Sequence, residues 1–362
     1  MTTDIAFLSA TELVALYGEK SLSPVEVTRA ILDRIAERQE DLNAYCLVDE
    51  KAVMSAARAS EVRWRKGHPL GLVDGVPTSI KDIVLAKGWP TLRGSRTIDP
   101  TQRWTEDGPC VARLREEGAV LLGKTTTPEF AWKGVTDSPL TGITRNPWNP
   151  NLTPGGSSGG AAASVAAGLG QLAVGTDAGG SIRIPASFCG VFGIKPTFGR
   201  VPVYPLTPYA TFASIGPITR TVEDAALMLT VMTKPDSRDW HALPFDRTDY
   251  SQGLDDGVEG LRIAYSGTLG YARVAPDVAR IVDDAVTVFE TIGALVEAVD
   301  PGFADPRSTR RDLWKGLTEL AFKNMTEDKL ALMEPALADE IRNSRNHPLQ
   351  SYLAADLERA SK

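Results

Sequence analysis

Two short segments rich in glycine and serine contain the residues best suited to chemistry. The first, residues 154–164, reads PGGSSGGAAAS, and the second, residues 175–185, reads GTDAGGSIRIP. Twelve of the 32 glycines lie between residues 155 and 199, so the backbone there must turn sharply or approach another group closely. In the first segment the loop opens an alanine-rich helix, which directs backbone N–H groups at Ser157 and Ser158.

An anion-binding loop and a nucleophile site are two interpretations of these segments. The lysine and Ser/Thr that follow the glycines of a P-loop are absent, and no GxGxxG pattern occurs, which disfavours a nucleotide site. In the second segment, a short predicted strand at 172–174 runs into a turn of small residues that ends at Ser181. Such a turn can direct several N–H donors at one point, as an oxyanion requires. Ser181 is therefore a candidate nucleophile.

A nucleophilic serine needs a base, and the three histidines are poor candidates for it. His68, His241 and His347 all stand in polar segments typical of surfaces, which disfavours a Ser-His-Asp triad. Lys81 interrupts the apolar run 76–84, where burial would lower the pKa of its amine and make it a usable base. A structural ion pair with Asp82, or exposure at the strand end, explains Lys81 equally well on this segment alone.

The elements that must position these residues alternate between helices and short apolar strands. Helical patterns cover residues 11–18, a serine-capped run from Ser23 to near Arg38, and 52–66. Strand-like runs at 76–84 and 119–124 enclose a helical pattern at 108–117. This order predicts an α/β fold with a sheet covered on both faces.

Composition narrows the class of protein. The chain has 362 residues, 43% of them hydrophobic, and a net charge of −7, so it has no basic field for nucleic acid. The uncharged stretch 146–176 is broken by prolines and rich in glycine and alanine, unlike a membrane span. No secretory signal is recognisable at the N-terminus, so a cytoplasmic location is expected. Three widely spaced cysteines form neither a disulfide framework nor a metal motif, and no metal or other cofactor is predicted.

The longer pattern around both segments resembles the amidase signature family. Its elements are GGSSGG at 155–160, GTDAGGSIRIP at 175–185 and CGVFGIKPTFGR at 189–200. The resemblance extends upstream to 75–82 and 128–130, and downstream to 216–225. It implies an α/β/α sandwich with a large central mixed β-sheet covered by helices.

The resemblance also implies a role for each candidate residue. Ser181 corresponds to the nucleophile, Ser157 to a bridging serine after a cis peptide bond, and Lys81 to the base. By the same resemblance, the N–H groups of Ala178, Gly179, Gly180 and Ser181 form the oxyanion hole, and Ala131 stands where family members can contact substrate. Asp177 and Arg183 flank the nucleophile and are expected to form a buried, hydrogen-bonded support for the serine loops rather than to act directly. Thr176 and Ser158 stand close to the triad and either take part in the site or satisfy backbone groups.

Several neighbouring residues have two interpretations. The aromatic residues Phe130, Trp132, Tyr209 and Phe212 either line an apolar acyl pocket or pack in the core. Cys189 lies within the motif and is expected to be a small buried hydrophobic residue.

These implications make an amidase, acting through an acyl-serine intermediate on a small-molecule amide, the first hypothesis. The enzyme class would be a hydrolase of linear amides. The glutaminase (A) subunit of a tRNA-dependent amidotransferase is similar, but that branch usually carries glutamine where this chain has Ile184. A non-catalytic relative that binds a partner is the third alternative, disfavoured because Lys81, Ser157 and Ser181 are all present.

The resemblance also bears on domain organisation. Residues 1–235 are predicted to form the amidase signature core with the whole triad. Residues 236–362 are predicted to be the C-terminal part of the same domain, shorter than in relatives, which leaves apolar surface uncovered. Marginal stability or association through a sheet edge is expected, and a homodimer is compatible with this.

Overall fold

The computed structural model describes residues 4–207 and 209–361. Its α-helices, in chain order, are α1 Ala10–Glu19, α2 Pro24–Leu42, α3 Glu50–Lys66, α4 Pro109–Glu116, α5 Gly159–Ala166, α6 Arg183–Cys189, α7 Val222–Met232, α8 Pro276–Thr291, α9 Arg307–Phe322, α10 Glu327–Leu330, α11 Pro335–Ser344 and α12 Leu349–Ala360. Its strands are β1 Tyr45–Val48, β2 Pro77–Lys81, β3 Val120–Thr125, β4 Asp137–Ser138, β5 Gly142–Ile143, β6 Leu172–Asp177, β7 Phe192–Gly193, β8 Ser214–Thr219, β9 Arg262–Tyr265 and β10 Leu295–Ala298.

Capping residues set the starts of the first helices. Ser9 caps α1 and Ser23 caps α2, and in both a glutamate three residues later accepts from the N-cap backbone. These reciprocal bonds satisfy N–H groups that a helix start leaves unpaired. Pro24, the first residue of α2, already has the φ angle that a helix needs.

A six-stranded mixed sheet, in the order β1-β3-β2-β6-β8-β7, forms the centre of the first compact unit. Strands β3, β2 and β6 are parallel neighbours, whereas β1 and β8 run antiparallel to theirs. Because parallel strands end at the same edge of a sheet, the carboxyl ends of β2 and β6 meet. That edge carries Lys81, Thr176 and Asp177.

Both faces of this sheet are buried. Val120 and Leu122 of β3 pack into the cluster formed with α1 to α3, while Leu121 between them packs into the cluster formed with α4 and α7. Successive strand side chains point to opposite faces, so this alternation shows helices on either side. The predicted α/β fold with a helix-covered mixed sheet is confirmed.

The chain divides into two compact units. The first comprises residues 1–251 and 324–340, and the second residues 252–323 and 341–362. In the second unit the parallel strands β9 and β10 are joined through α8, and α8 exposes Val278, Ile281 and Val288. The predicted boundary at residue 235 stays a prediction.

The sequence-based elements were right in kind but differ at their ends. The helix that begins after Ser23 continues to Leu42 rather than ending near Arg38. Strand β1 lies between two predicted helices, and neither β1 nor β8 was predicted. Among the described residues, no helix is both long and apolar enough to cross a membrane.

Candidate active site

Four parts of the fold bring the predicted site residues together. Lys81 ends β2, and Thr176 lies near the end of the adjacent strand β6. The loop before α5 supplies Ser157 and Ser158, and the turn between β6 and α6 supplies Ser181. The backbone N–H of Ser158 donates to the carbonyl of Ser181 at 3.1 Å, which joins the two serine loops directly.

Lys81 is the centre of this arrangement. Its Nζ lies 2.7 Å from Ser157 Oγ, 2.9 Å from Ser158 Oγ and 2.8 Å from Thr176 Oγ1. The side chain is fully buried, and no described carboxylate forms an ion pair with it. The structural ion pair with Asp82, left open by the sequence, is therefore wrong, because Asp82 pairs with another lysine.

This environment favours the neutral amine. Burial lowers the pKa of Lys81 well below its usual value, and the charge of Asp177 raises it only in part. Removal from water penalises the ammonium form, whereas hydroxyl groups can both donate to and accept from an amine. Lys81 can therefore take a proton from one of its hydroxyl neighbours.

Ser157 and Ser158 differ in what their hydroxyl protons can do. Ser158 Oγ donates to the carbonyl of Thr176 at 3.2 Å and accepts from the N–H of Thr176 and from Lys81. Its single proton is therefore already used. Ser157 Oγ forms a hydrogen bond with Lys81 alone within the described chain, so its proton can be transferred. The Gly156–Ser157 peptide bond is cis, as the resemblance implied.

Ser181 is half-buried at the start of the turn that leads into α6. Its Oγ forms no hydrogen bond within the part of the chain that the structure describes. Hydrogen bonds between a nucleophile and its base are often long without substrate and shorten when substrate binds. The structure thus brings Ser181 next to the lysine and serine cluster while leaving its hydroxyl accessible.

Asp177 organises the turn that carries Ser181. The buried carboxylate accepts from the N–H of Gly180 at 2.7 Å and of Ile182 at 3.1 Å, and Arg183 binds it bidentately with two contacts of 2.9 Å. Burial acts to raise the pKa of Asp177, but the bonds from Arg183 and the two N–H groups lower it overall. Asp177 is buried as predicted, whereas the Arg183 side chain is 55% exposed.

The same bonds narrow the set of oxyanion donors implied by the resemblance. The N–H of Gly180 donates to Asp177, so it is not free for substrate. The N–H groups of Ala178, Gly179 and Ser181 donate to no acceptor among residues 4–207 and 209–361. These three are the available donors in the turn.

The predicted substrate-binding residue Ala131 lies in a tight turn. Phe130 and Ala131 have φ angles of 51° and 59°, in the left-handed region that disfavours residues other than glycine. Four aromatic side chains are half-buried and therefore lie outside the buried core: Phe130, Trp132, Tyr209 and Phe212. Cys189 is buried, and burial raises the pKa of its thiol to about 12.

A second buried lysine was missed. Lys124 on β3 is fully buried, donates to the carbonyl of Val84 at 2.5 Å and to Thr91 Oγ1 at 2.8 Å, and lies 3.7 Å from Asp82. Like Lys81, it ends an apolar strand-like run, so the same signal was present in the sequence.

Comparisons with known proteins agree with this architecture. The sequence profile described as "Amidase" matches residues 26–362. An acylamidase of Rhodococcus erythropolis is 40% identical over 315 residues, which cover 87% of this chain and 65% of that protein. The glutamyl-tRNA(Gln) amidotransferase A subunit of Chloroflexus aurantiacus is 39% identical over 295 residues, covering 81% of this chain and 60% of that protein.

A solved structure is similar over nearly the whole chain. A bacterial aryl acylamidase of the amidase signature family matches with a TM-score of 0.91 and 34% identity, covering 98% of this chain and 76% of that one. The chain thus spans 60 to 65% of the length of these two sequence relatives. The profile match, the sequence relatives and the shared fold lead to one conclusion: this chain belongs to the amidase signature family.

Proposed function

We propose that this chain hydrolyses carboxylic amides through an acyl-Ser181 intermediate. The observation that carries the proposal is the environment of Lys81, a fully buried amine with three hydroxyl oxygens within 2.9 Å and no carboxylate partner among the described residues. A lysine held in this way is a base rather than an ion-pair member. This environment supports the assignment of Lys81 and Ser157 to a Ser-cisSer-Lys triad whose nucleophile is Ser181.

In the acylation step, neutral Lys81 takes the proton of Ser157 while Ser157 takes the proton of Ser181. Ser181 Oγ forms a bond to the amide carbonyl carbon, and the carbonyl π electrons move to oxygen. The relay needs Ser157 Oγ to receive one proton as it releases another, which its single hydrogen bond to Lys81 permits. Ser158 and Thr176 hold the amine from the other sides.

The negative oxygen of the tetrahedral intermediate accepts hydrogen bonds from the free N–H groups of Ala178, Gly179 and Ser181. Each well-placed donor contributes about 3 kcal/mol to transition-state stabilisation. Asp177 maintains this turn through Gly180 and Ile182, so we assign Asp177 and Arg183 a supporting role.

Collapse of the tetrahedral intermediate breaks the carbon–nitrogen bond. The departing nitrogen takes the proton of Ser157 Oγ, and protonated Lys81 gives a proton back to Ser157 Oγ. Water then attacks the acyl carbon and gives a proton to the same relay. The bond between the acyl carbon and Ser181 Oγ breaks, the relay returns that proton to Ser181 Oγ, and the carboxylic acid leaves.

Linear amides with an apolar acyl or aryl group are the proposed substrates. The side chain of Ile184 lies against Gly180 and Gly155, which makes the wall beside the nucleophile apolar. Phe130, Trp132 and Ala131 are proposed to extend this wall. The similar aryl acylamidase makes an anilide the first substrate to test.

A glutaminase subunit is the second candidate, favoured by the 39% identity to the A subunit of an amidotransferase. The apolar Ile184 argues against it, because glutamine would meet an apolar wall. Measurement of ammonia release from glutamine separates the two, since turnover only with partner proteins would support the second candidate. A cytoplasmic location and a homodimer stay predictions.

The nucleophile is tested with Ser181→Ala. We expect loss of labelling by a fluorophosphonate and a fall in acetanilide hydrolysis of about 10⁴-fold or more, as for other serine nucleophiles. Ser187→Ala, an exposed serine on the same helix α6, is the matched control and should retain both.

Equal labelling of the Ser181→Ala variant would show that another residue is the nucleophile. A wild-type chain that is neither labelled nor active on any amide would overturn the proposed function itself.

A further inference from the structure

The loop of residues 129–137, called the 129–137 loop below, contacts two different parts of the site. Near its start, the turn at Phe130 and Ala131 is the proposed substrate contact. Further along, Val135 lies against the loop of Ser157, where a Cβ added to Gly156 would be 2.6 Å from the Val135 carbonyl. The position of this loop therefore affects both substrate binding and the serine relay.

The substrate end of the loop is conformationally strained. Phe130 and Ala131 are consecutive non-glycine residues with positive φ angles. Such conformations persist only where the surrounding structure fixes them, and they concentrate at functional sites. Within the turn the N–H of Ala131 donates to the carbonyl of Pro128 at 2.8 Å, and outside it the N–H of Phe130 donates to the carbonyl of Arg93 at 2.7 Å.

Glu334 holds the residues on both sides of this turn. Its backbone N–H donates to Glu129 Oε2 at 2.7 Å, and its carboxylate accepts from Trp132 Nε1 at 3.0 Å and from Lys133 Nζ at 2.6 Å. One residue, about 200 positions away in the sequence, thus binds on both sides of the strained turn. Residue 334 and the 129–137 loop lie in the same compact unit.

These contacts are well shielded. Glu129 is fully buried and also accepts from Ser95 Oγ at 2.6 Å. The side chains of Lys133 and Glu334 are only 17% and 18% exposed, so their charge-assisted bond is little screened by solvent. Lys133 also pairs with Asp137 at 2.8 Å, which ties the two halves of the loop together.

The serine end of the loop is held by a different residue. Thr136 Oγ1 donates to the carbonyl of Gly155 at 2.8 Å and accepts from the N–H of Gly159 at 3.1 Å. These bonds bracket Ser157 and do not involve Glu334. Loss of one anchor should therefore release one end of the loop and leave the other in place.

We propose that Glu334 is a positioning residue that sets the substrate-binding end of the 129–137 loop, while Thr136 sets its serine end. The inference rests on the proposed amide hydrolysis, because Ala131 is a substrate contact only in that reaction. The ion pair between Lys133 and Glu334 joins distant parts of the chain. In this proposal it affects binding of the acyl group rather than the chemical steps.

The test compares Glu334→Ala with Thr136→Val in acetanilide hydrolysis. Because Glu334 acts on ground state and transition state alike, Glu334→Ala should raise KM about 10-fold with kcat within about 2-fold. Thr136→Val should instead lower kcat about 10-fold with little change in KM. Glu334→Gln keeps an acceptor oxygen and the shape of the side chain, so its KM should lie between the KM of the wild type and that of Glu334→Ala.

Glu61→Gln is the matched control, since Glu61 is also 18% exposed and ion-paired, with Arg65 at 3.1 Å, but lies on α3. It should leave both constants unchanged. In a Ser181→Ala background, Glu334→Ala should also raise the calorimetric Kd for acetanilide about 10-fold. This binding measurement needs no turnover.

An unchanged KM and Kd in Glu334→Ala, with the wild-type enzyme active, would overturn the positioning role alone. Equal losses in kcat, labelling and thermal stability would also overturn it, since they indicate a general structural role. A wild-type protein that is not labelled by a fluorophosphonate and hydrolyses neither acetanilide nor any other amide would instead overturn the proposed function.

Discussion

The two buried lysines of the central sheet form a natural comparison. Lys81 and Lys124 stand near the carboxyl ends of the adjacent parallel strands β2 and β3, and both are fully buried. Lys81 is surrounded by the hydroxyl groups of two serines and a threonine. Lys124 meets a carbonyl, one hydroxyl and the carboxylate of Asp82.

The partners decide what burial does to each amine. Burial lowers the pKa of Lys124 to about 8, while the charge of Asp82 acts to raise it. Lys81 has no adjacent carboxylate, and burial lowers its pKa well below the usual value. Burial alone therefore does not distinguish a base from a structural charge. The absence of an ion-pair partner does, and that is a property of the fold.

The largest expected difference is in catalysis. Lys81→Met removes the proposed base, so kcat/KM for acetanilide should fall about 10³ to 10⁴-fold. Lys124→Met leaves the Lys81 cluster intact, and kcat/KM of the folded protein should stay within about 10-fold. Steady-state kinetics on both purified variants checks this, with circular dichroism to show that each is folded. Similar losses of kcat/KM in the two folded variants would show that Lys81 and Lys124 do not differ in catalytic role.

Stability should show the opposite order. Lys124→Met leaves the buried Asp82 without its cation, which costs about 3 to 5 kcal/mol of unfolding free energy. Lys81→Met leaves no buried carboxylate without an ion-pair partner. It also removes an amine whose charged form is disfavoured by burial, so the loss of unfolding free energy should be smaller. Urea denaturation of both variants measures the difference. A larger loss for Lys81→Met would contradict the comparison.

The pH dependence of unfolding sharpens the same contrast. An unfolded lysine has a pKa of about 10.4, above the folded value of either residue, so between the two values the unfolded state binds more protons. Stability from each lysine therefore rises with pH, by at most about 1.4 kcal/mol per pH unit. For Lys124 this rise begins near pH 8, and for Lys81 we expect it at lower pH.

Denaturation midpoints of wild type and each methionine variant, measured from pH 6 to 10, separate the two contributions. The wild-type minus Lys81→Met difference should begin to rise at lower pH than the wild-type minus Lys124→Met difference. Coincident curves would mean that the two amines have the same folded pKa.

The smallest expected effects come from single hydroxyl groups. Thr176→Val removes one of the three partners of Lys81 and should lower kcat/KM about 10-fold. Thr91→Val removes the hydroxyl partner of Lys124 and should cost about 1 kcal/mol of stability with kcat/KM unchanged. Kinetics and urea denaturation on the pair test this, and an activity loss confined to Thr91→Val would reverse the assignment.

The local chemistry of the site could be predicted from sequence, but its long-range contacts could not. Lys81 and Ser181 stood out because a charge in an apolar strand and a serine after small residues are unusual. The contacts of Glu334 with Trp132 and Lys133 join positions about 200 residues apart, and no local pattern encodes such pairing. The use of the Gly180 N–H by Asp177 depends on turn geometry, which the sequence does not show.

Short strands were also difficult to predict from the sequence. Strand β1 has only four residues after a long helical run, and β8 contains Gly216 and Pro217, residues that weaken a strand pattern. Both are formed by pairing with neighbours already in the sheet, which is tertiary information.

A bulge in β3 keeps the two lysines apart. Thr78 pairs with Leu121 but Ser79 pairs with Gly123, so Leu122 has no partner on β2 and Lys124 lies beside Ile80. Without this bulge Lys124 would lie beside Lys81, and both amines would point to the same face of the sheet. The register shift in β3 is therefore as important to the site as any side chain in it. If all six residues of β3 paired with β2 without the bulge, two buried amines would lie together at the position where the relay needs one neutral amine.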